Sequence, residues 1–200
     1  MENKTCAAAI LAGGLSSRMG GRNKAFLSVG GRAILDRIMD VLGLHFKEIL
    51  LVTRRPELYE GRPVKVVQDV YSARASLTGI HAGLIHAEAP FVFVTACDSP
   101  FIKPDVIRLL LGEIEPASDV IIPAFDGHFE PLCAIYSKRC LPHIEDRLDR
   151  DDLKILHFFN EVNVKHISKE KLTAVDPSLQ SFFNVNTPAA HRASQDLSTP

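Results

Sequence analysis

Residues 91–98 read FVFVTACD. Successive side chains of a strand point to opposite faces of its sheet, and the FVFV positions are apolar in both phases. Such a strand must be covered on both sides, which predicts a central strand between two helical layers. The rest of the first half agrees. AAAIL (7–11), EILLVT (48–53) and VKVVQD (64–69) are further short apolar runs of strand length. Between them, RAILDRIMDVLGL sets Ile34, Leu35, Ile38, Val41 and Leu42 at helical spacing, and SLTGIHAGLIHA reads as a helix that carries two glycines. PDVIRLLLGEI starts with Pro104 in the first turn, where proline is tolerated. The order β-α-β-β-α-β-α predicts an α/β architecture with a mostly parallel sheet and helices on both faces.

The second half is less regular. DVIIPAF (119–125) and EPLCAIY (130–136) read as strands joined by the turn DGHFE, an antiparallel excursion. IEDRLDRDDLKILHFFN (144–160) reads as one helix and VNVKHI (162–167) as a strand. FFNVNTP is extended, and Pro188 opens a last helix before a frayed tail. No repeat, low-complexity linker or composition break divides the chain, so one domain over residues 1–200 is expected.

Composition narrows the class. With 46% hydrophobic and 24% charged residues in a chain of 200, a buried core is expected and disorder is excluded for most of the length. The formal net charge is −1, which argues against a nucleic-acid track. No apolar run reaches the ~18 residues of a membrane helix, and CAAAILAGG runs straight into GGLSSRMGG rather than a cleavage region. Cys6, Cys97, Cys133 and Cys140 form neither a C-x-x-C pair nor a zinc spacing, as expected in a reduced cytoplasmic compartment.

The local charge balance is different. Between Met1 and Arg32 lie Lys4, Arg18, Arg22, Lys24 and Arg32 against Glu2 alone, a pattern for a small anion. The first strand runs into ILAGGLSSRMGGRNKA (10–25), with glycines at 13, 14, 20 and 21. Glycine lets backbone N–H groups approach an anion without a Cβ in the way, and Arg18 and Lys24 add full charges. Neither the G-x-x-x-x-G-K-[ST] loop nor the G-x-G-x-x-G fingerprint is present. Nine residues separate Gly14 from Lys24, enough to wrap a triphosphate. The plainer alternative is a surface turn with solvated basic residues.

Asp98 follows the FVFVTAC strand. Ligands of open parallel sheets bind beyond the carboxyl ends of the strands, and the common order 3-2-1-4 makes the first and fourth strands neighbours. A carboxylate beside a triphosphate needs a cation between them, and magnesium takes one or two carboxylates together with phosphates. Asp98 therefore reads as a magnesium ligand, with a turn cap as the alternative. Asp69, ending the third strand, either contacts nucleotide or caps its turn. Asn184 and Asn186 either order the site or cap the last helix. His81 and His86 lie on different helix faces and do not pair for a metal. Cys97 reads as an inert buried thiol.

These segments resemble molybdenum cofactor guanylyltransferases, members of the wider glycosyltransferase-A-type nucleotidyltransferases. LAGGLSSRMGGRNKA is similar to their L-A-G-G…S-R-M-G…K signature, VTACDSPF to their C-D-x-P segment, EPLCAIY to x-P-L-x-A-x-Y, and FFNVNTPAAH to F-x-N-x-N-T-P-E. The matches keep the family's order over nearly the whole chain. The resemblance implies a Rossmann-like fold and transfer of GMP from GTP to molybdopterin, giving the guanine dinucleotide and pyrophosphate. It implies nucleotide contacts at Leu11, Ala12, Gly13 and Asp69, phosphate contacts at Lys24 and magnesium on Asp98. With Gly14 from the loop, Arg18, Lys24 and Asp98 are the expected catalytic charges. Transient contact with cofactor-delivery proteins or molybdoenzymes is implied as well. Two stretches depart from the family pattern: ASLTGI (75–80) where P-L-[AG]-G is common, and VTRRP, with Thr53 where some members carry asparagine. Both lie near base and ribose, and they leave GTP against CTP open. A transferase acting on a sugar or isoprenoid phosphate, or a non-catalytic nucleotide-binding module, are the other readings.

Overall fold

The computed structural model describes residues 5–13 and 23–197. Gly14, Arg18, Gly20 and Gly21 lie outside the described residues. Strands β1 (Cys6–Leu11), β2 (Ser28–Val29), β3 (Arg32–Ala33), β4 (Ile49–Val52), β5 (Lys65–Val67), β6 (Phe91–Ala96), β7 (Val120–Phe125), β8 (His128–Phe129), β9 (Cys133–Ser137) and β10 (Val164–Ile167) are interleaved with helices α1 (Ile34–Gly43), α2 (Ser76–His86), α3 (Pro104–Gly112), α4 (Leu141–Asp149), α5 (Lys169–Val175) and α6 (Pro188–Leu197).

The main sheet runs β10-β7-β9-β6-β1-β4-β5, with β8 paired to β7 and with β2 and β3 forming a separate hairpin. The pairs β5–β4, β4–β1, β1–β6 and β7–β10 are parallel, and β9 is antiparallel to both its neighbours. The expected order 3-2-1-4 appears as β5-β4-β1-β6, and β6 sits mid-sheet. The fold is therefore a mostly parallel α/β sheet covered on both faces.

Alternation within the strands sorts the core into two layers. Cys6, Ala8 and Ile10 of β1 and Phe91 and Phe93 of β6 pack with Leu35, Ile38 and Leu42 of α1 and Val106 and Leu110 of α3. Ala7, Ala9, Val92 and Val94 face the opposite layer, with Leu77, Ile80 and Leu84 of α2 and Ile144 and Leu148 of α4. Small side chains at 7 and 9 let α2 come close. A Cβ on Gly83 would stand 2.9 Å from Ala9 Cβ, and one on Gly79 would stand 3.1 Å from Leu11 Cδ1. The two helix glycines that look unfavourable by propensity thus set the distance between α2 and the strand that carries the site.

Three local expectations are revised. The helix expected from Arg32 begins at Ile34, because Arg32 and Ala33 pair with Ser28 and Val29 across Gly30 and Gly31, both at positive φ. The helix expected over 144–160 is instead α4 ending at Asp149, with a 3-10 segment at Ile155–Glu161; Asp151 between them takes φ 57°, which ends the α-helical path. Helix α5 has a single buried apolar residue, Leu172, too little for a periodic signal. The turn between β7 and β8 is Asp126-Gly127 at φ 51° and 76°, the left-handed pair that a tight hairpin needs.

Beyond α5 the chain returns toward the sheet through Asp176, which has no exposed area. Its carboxylate accepts the Ser181 N–H at 2.8 Å and pairs with Lys103 at 2.7 Å. Burial pushes this carboxyl up, but Lys103 and Ser181 outweigh it and hold the pKa below the ordinary value. A depressed carboxylate adds stability above its unfolded pKa, lost as pH falls through the folded one.

Two stability outcomes follow from this packing. Gly83→Ala should lower the unfolding free energy by a net ~1–2 kcal/mol, read as a lower urea midpoint, overpacking outweighing the helix-propensity gain, while Gly43→Ala, with open space around it, should be neutral or stabilising. Asp176→Asn should destabilise most at neutral pH, and the gap to wild type should close as pH falls below about 4. Urea titrations at pH 7 and pH 3 check this; a gap that stays constant would remove Asp176 as the source.

Candidate active site

The carboxyl ends of β4, β1 and β6 lie side by side. The ladder continues past the strands: Ala12 donates its N–H to Val52 O at 2.8 Å, Cys97 to Leu11 O at 3.1 Å, and Thr53 to Val67 O at 3.0 Å. Residues leaving these strands are therefore held in register at one edge of the sheet. A cavity of about 440 Å³ opens there, bordered by Leu11, Ala12 and Gly13 after β1, Asp69 after β5, and Cys97 and Asp98 after β6.

Lys24 reaches this cavity from a 3-10 turn over Lys24–Phe26. Asn23 fixes the turn: its Oδ1 accepts the Ala25 N–H at 3.1 Å, and its Nδ2 donates to the buried Tyr59 hydroxyl at 2.9 Å. Phe26 stacks on the same tyrosine ring at 5.3 Å. So anchored, Lys24 Nζ lies 3.0 Å from Asp98 Oδ2 and also donates to Asn186 Oδ1. Both charged side chains are mostly shielded, at 18% and 14% exposure. The segment carrying Asn184 and Asn186 is laid over Asp98: Val185 donates its N–H to Asp98 O at 2.8 Å, and Ser99 Oγ to Asn184 Oδ1 at 2.8 Å. Neither asparagine caps α6; the Thr187 hydroxyl does, accepting the Ala190 N–H at 3.1 Å.

At the opposite wall, Asp69 Oδ2 is 3.0 Å from Arg54 Nε and 3.4 Å from the Thr78 hydroxyl. Arg54, Arg74, Ser76 and Leu132 line the cavity too; none was given a role from sequence, although VTRRP and ASLTGI, which hold Arg54 and Ser76, were expected near base and ribose. For Arg54 the available signal was a basic residue two positions beyond a strand end on the same sheet edge. Among the described residues lining the cavity, Lys24 pairs with Asp98 and Arg54 with Asp69, while Arg74 has no ion pair or hydrogen bond with another described residue.

The other sequence candidates separate from the cavity. His81 is buried and faces Glu145 of α4 at 3.2 Å, and His86 is bonded only through its backbone carbonyl, by Lys65. Cys97 lies at the rim, but burial and then the Asp98 charge push its thiol up to about 12, against a smaller opposing pull from Lys24, so it stays protonated at neutral pH.

The donor chemistry at Asp98 suits a hard cation. A carboxylate oxygen and an amide oxygen already share one positive charge, the Lys24 ammonium. No group of three or more His, Cys, Asp or Glu among the described residues could hold a metal alone. A divalent ion at Asp98 would complete its shell with water and phosphate oxygens, the usual habit of magnesium.

Comparison with known proteins agrees with this geometry. A family model described as the MobA-like NTP transferase domain matches residues 8–164. A molybdenum cofactor guanylyltransferase of Desulfosudis oleivorans is 43% identical over 178 residues, covering 89% of this chain and 88% of the relative. One of Vibrio cholerae is 32% identical, covering 90% and 86%. The crystal structure of molybdopterin-guanine dinucleotide biosynthesis protein A from Archaeoglobus fulgidus superposes with a TM-score of 0.85 at 29% identity, covering 96% of this chain and 97% of the other. With its glycine-terminated first strand, its Lys24–Asp98 pair and these relatives, the chain belongs to the MobA-like nucleotidyltransferase family.

Proposed function

We propose that the protein transfers GMP from GTP to molybdopterin, releasing pyrophosphate and forming molybdopterin guanine dinucleotide. The observation that carries this reading is the convergence of Lys24 and Asp98 at the carboxyl ends of β1 and β6, in a chain whose relatives bear the guanylyltransferase name over most of their length.

A phosphate oxygen of molybdopterin attacks the α-phosphorus of GTP, and the bond from that phosphorus to the departing pyrophosphate breaks. A phosphate monoester is largely dianionic at neutral pH, its second pKa being near ~6, so the nucleophile needs no general base. The protein's task is to hold two mutually repelling anions in line. Leu11, Ala12 and Gly13, continued by Gly14, border the nucleotide; the Ala12 N–H is already bound to Val52 O, so backbone donors to the ligand come from Gly13 onward. Lys24 and Arg18 neutralise phosphate oxygens. Asp69 accepts hydrogen bonds from the nucleoside end, and Asp98 with Asn186 holds magnesium. When bound, the ion supplies charge neutralisation to the triphosphate. Positioning of this kind lowers a barrier by up to roughly 7–11 kcal/mol. Free thiols at all four cysteines accord with work in a reducing cytoplasm, and molybdoenzymes or cofactor-delivery proteins would receive the product.

Incubation with GTP, magnesium and a molybdopterin source, followed by chromatography of the dinucleotide and assay of pyrophosphate, tests the reading; a product formed equally well from CTP would overturn the guanine assignment. Asp98→Asn should lower kcat by about 10²–10³ with unchanged circular dichroism, and magnesium-dependent turnover near the wild-type rate would remove the metal role. Lys24→Met should raise the Kd for GTP about tenfold or more, because it both deletes a phosphate partner and leaves Asp98 unpaired toward the incoming anion; calorimetric titration with GTP measures it.

A further inference from the structure

The arginine at the end of β4 is committed to the protein rather than offered to a ligand. Arg54 Nε donates to Asp69 Oδ2 at 3.0 Å, Nη1 donates to Ser72 O at 2.9 Å, and Nη2 donates to Tyr71 O at 2.8 Å and to Ala73 O. One guanidinium thus holds a carboxylate and three successive carbonyls of the loop between β5 and α2. The Thr78 hydroxyl, on the first turn of α2, donates its one proton among Ala75 O at 2.8 Å and, at 3.4 Å each, Asp69 Oδ2 and Ala73 O. Both donors on Asp69 use Oδ2. Oδ1 has no donor among the described residues, and Asp69 borders the cavity with only 9% of its side chain exposed.

We propose that Arg54 is the positioning residue for nucleoside recognition: it neutralises Asp69, fixes its rotamer so that Oδ1 alone is presented, and locks the 69–75 loop whose far end carries Arg74 into the cavity wall. The proposal rests on the nucleotidyltransferase reading and adds a division of labour to it. A bare carboxylate in a pocket for a polyanion repels its ligand. A carboxylate with one oxygen bound to a guanidinium is a near-neutral acceptor for base N–H or ribose O–H donors. Only a planar fork meets this geometry, since four acceptors in a fan exceed the three donors of an ammonium. Four of the five Arg54 N–H groups are thus spent on the 69–73 segment, one Nη1–H being left, so Arg54 acts on the nucleoside end chiefly through Asp69 and the loop it holds.

The test is binding by the full-length protein, read by calorimetry with two probes, GTP and inorganic tripolyphosphate. Arg54→Lys keeps the charge and loses the fork. It should weaken GTP about tenfold while leaving tripolyphosphate within about twofold, both read well below the melting temperature, which should fall somewhat with the lost loop bonds. In an Asp69→Ala background the same substitution should cost less than about twofold, because the residue through which Arg54 acts is gone. Arg55→Lys, an exposed neighbour, serves as the control and should change neither probe. Equal loss of both probes, wild-type GTP affinity in Arg54→Lys, or a full tenfold loss in the Asp69→Ala background would each overturn the proposal. A wild-type protein that binds GTP yet makes no dinucleotide would overturn the acceptor assignment and leave the Arg54 result to stand on its own; one that binds no GTP would overturn both.

Discussion

Strand β1 is hydrogen-bonded in parallel on both sides, to β4 through Ala8–Leu11 and to β6 through Cys6–Leu11. Everything at the site depends on this pairing. Parallel strands finish at the same edge, so three segments distant in sequence deliver their next residues to one place. The strand is also thin on one face: alanines at 7 and 9 give helix α2 room to approach, and Gly79 and Gly83 complete the fit from the other side. A bulkier β1 would push α2 outward, and Ser76, Gly79 and the loop before them would leave the cavity wall. The poor helix propensity of two glycines is tolerated because the close approach they permit aligns the binding surface.

The sheet was largely legible before any coordinates. β1, β4 and β6 are nearly continuous apolar runs, as strands covered on both faces require, while β5 at the sheet edge is shorter and begins with the exposed Lys65; right-handed crossovers between parallel strands leave few possible orders. What could not be read depends on interactions that have no period. The β2–β3 hairpin has two residues on each side and turns on positive-φ glycines. The break after α4 is decided by Asp151 in a left-handed conformation, where composition alone favours continuing the helix. At the site, Asp98 could be picked out because a carboxylate just beyond a buried strand has few structural reasons to be there, and Lys24 because it closes a glycine-rich basic stretch. The role of Arg54 was harder to read, because its partners are mainly backbone carbonyls of an irregular loop, and a carbonyl carries no sequence signature.

The antiparallel strand β9 extends this logic to the far side of the cavity. It pairs with β6 over Phe91–Thr95, so its chain direction brings the residues before Cys133, not those after Ser137, to the edge where Asp98 lies. Leu132 consequently lines the cavity. The buried Tyr136 holds the approach to it by donating its hydroxyl to Pro131 O at 2.8 Å. An antiparallel insertion in a parallel sheet thus contributes an apolar wall where the parallel strands contribute polar ends.

The cavity's two ion pairs look alike in charge and differ in kind. Lys24 is a point charge whose acceptors, Asp98 Oδ2 and Asn186 Oδ1, are both side-chain oxygens, the same oxygens that suit a divalent ion. Its bonds can be exchanged for phosphate oxygens without disturbing the fold, since no backbone group loses a partner. Arg54 is a rigid fork whose acceptors are mostly main-chain carbonyls, and releasing it would leave those carbonyls and Asp69 unsatisfied together. Under the proposed transfer reaction, the exchangeable pair suits the end of the pocket where charge must move between partners, and the locked pair suits the end where a ligand has only to be recognised, because a loop held this way resists shifting to fit a different base.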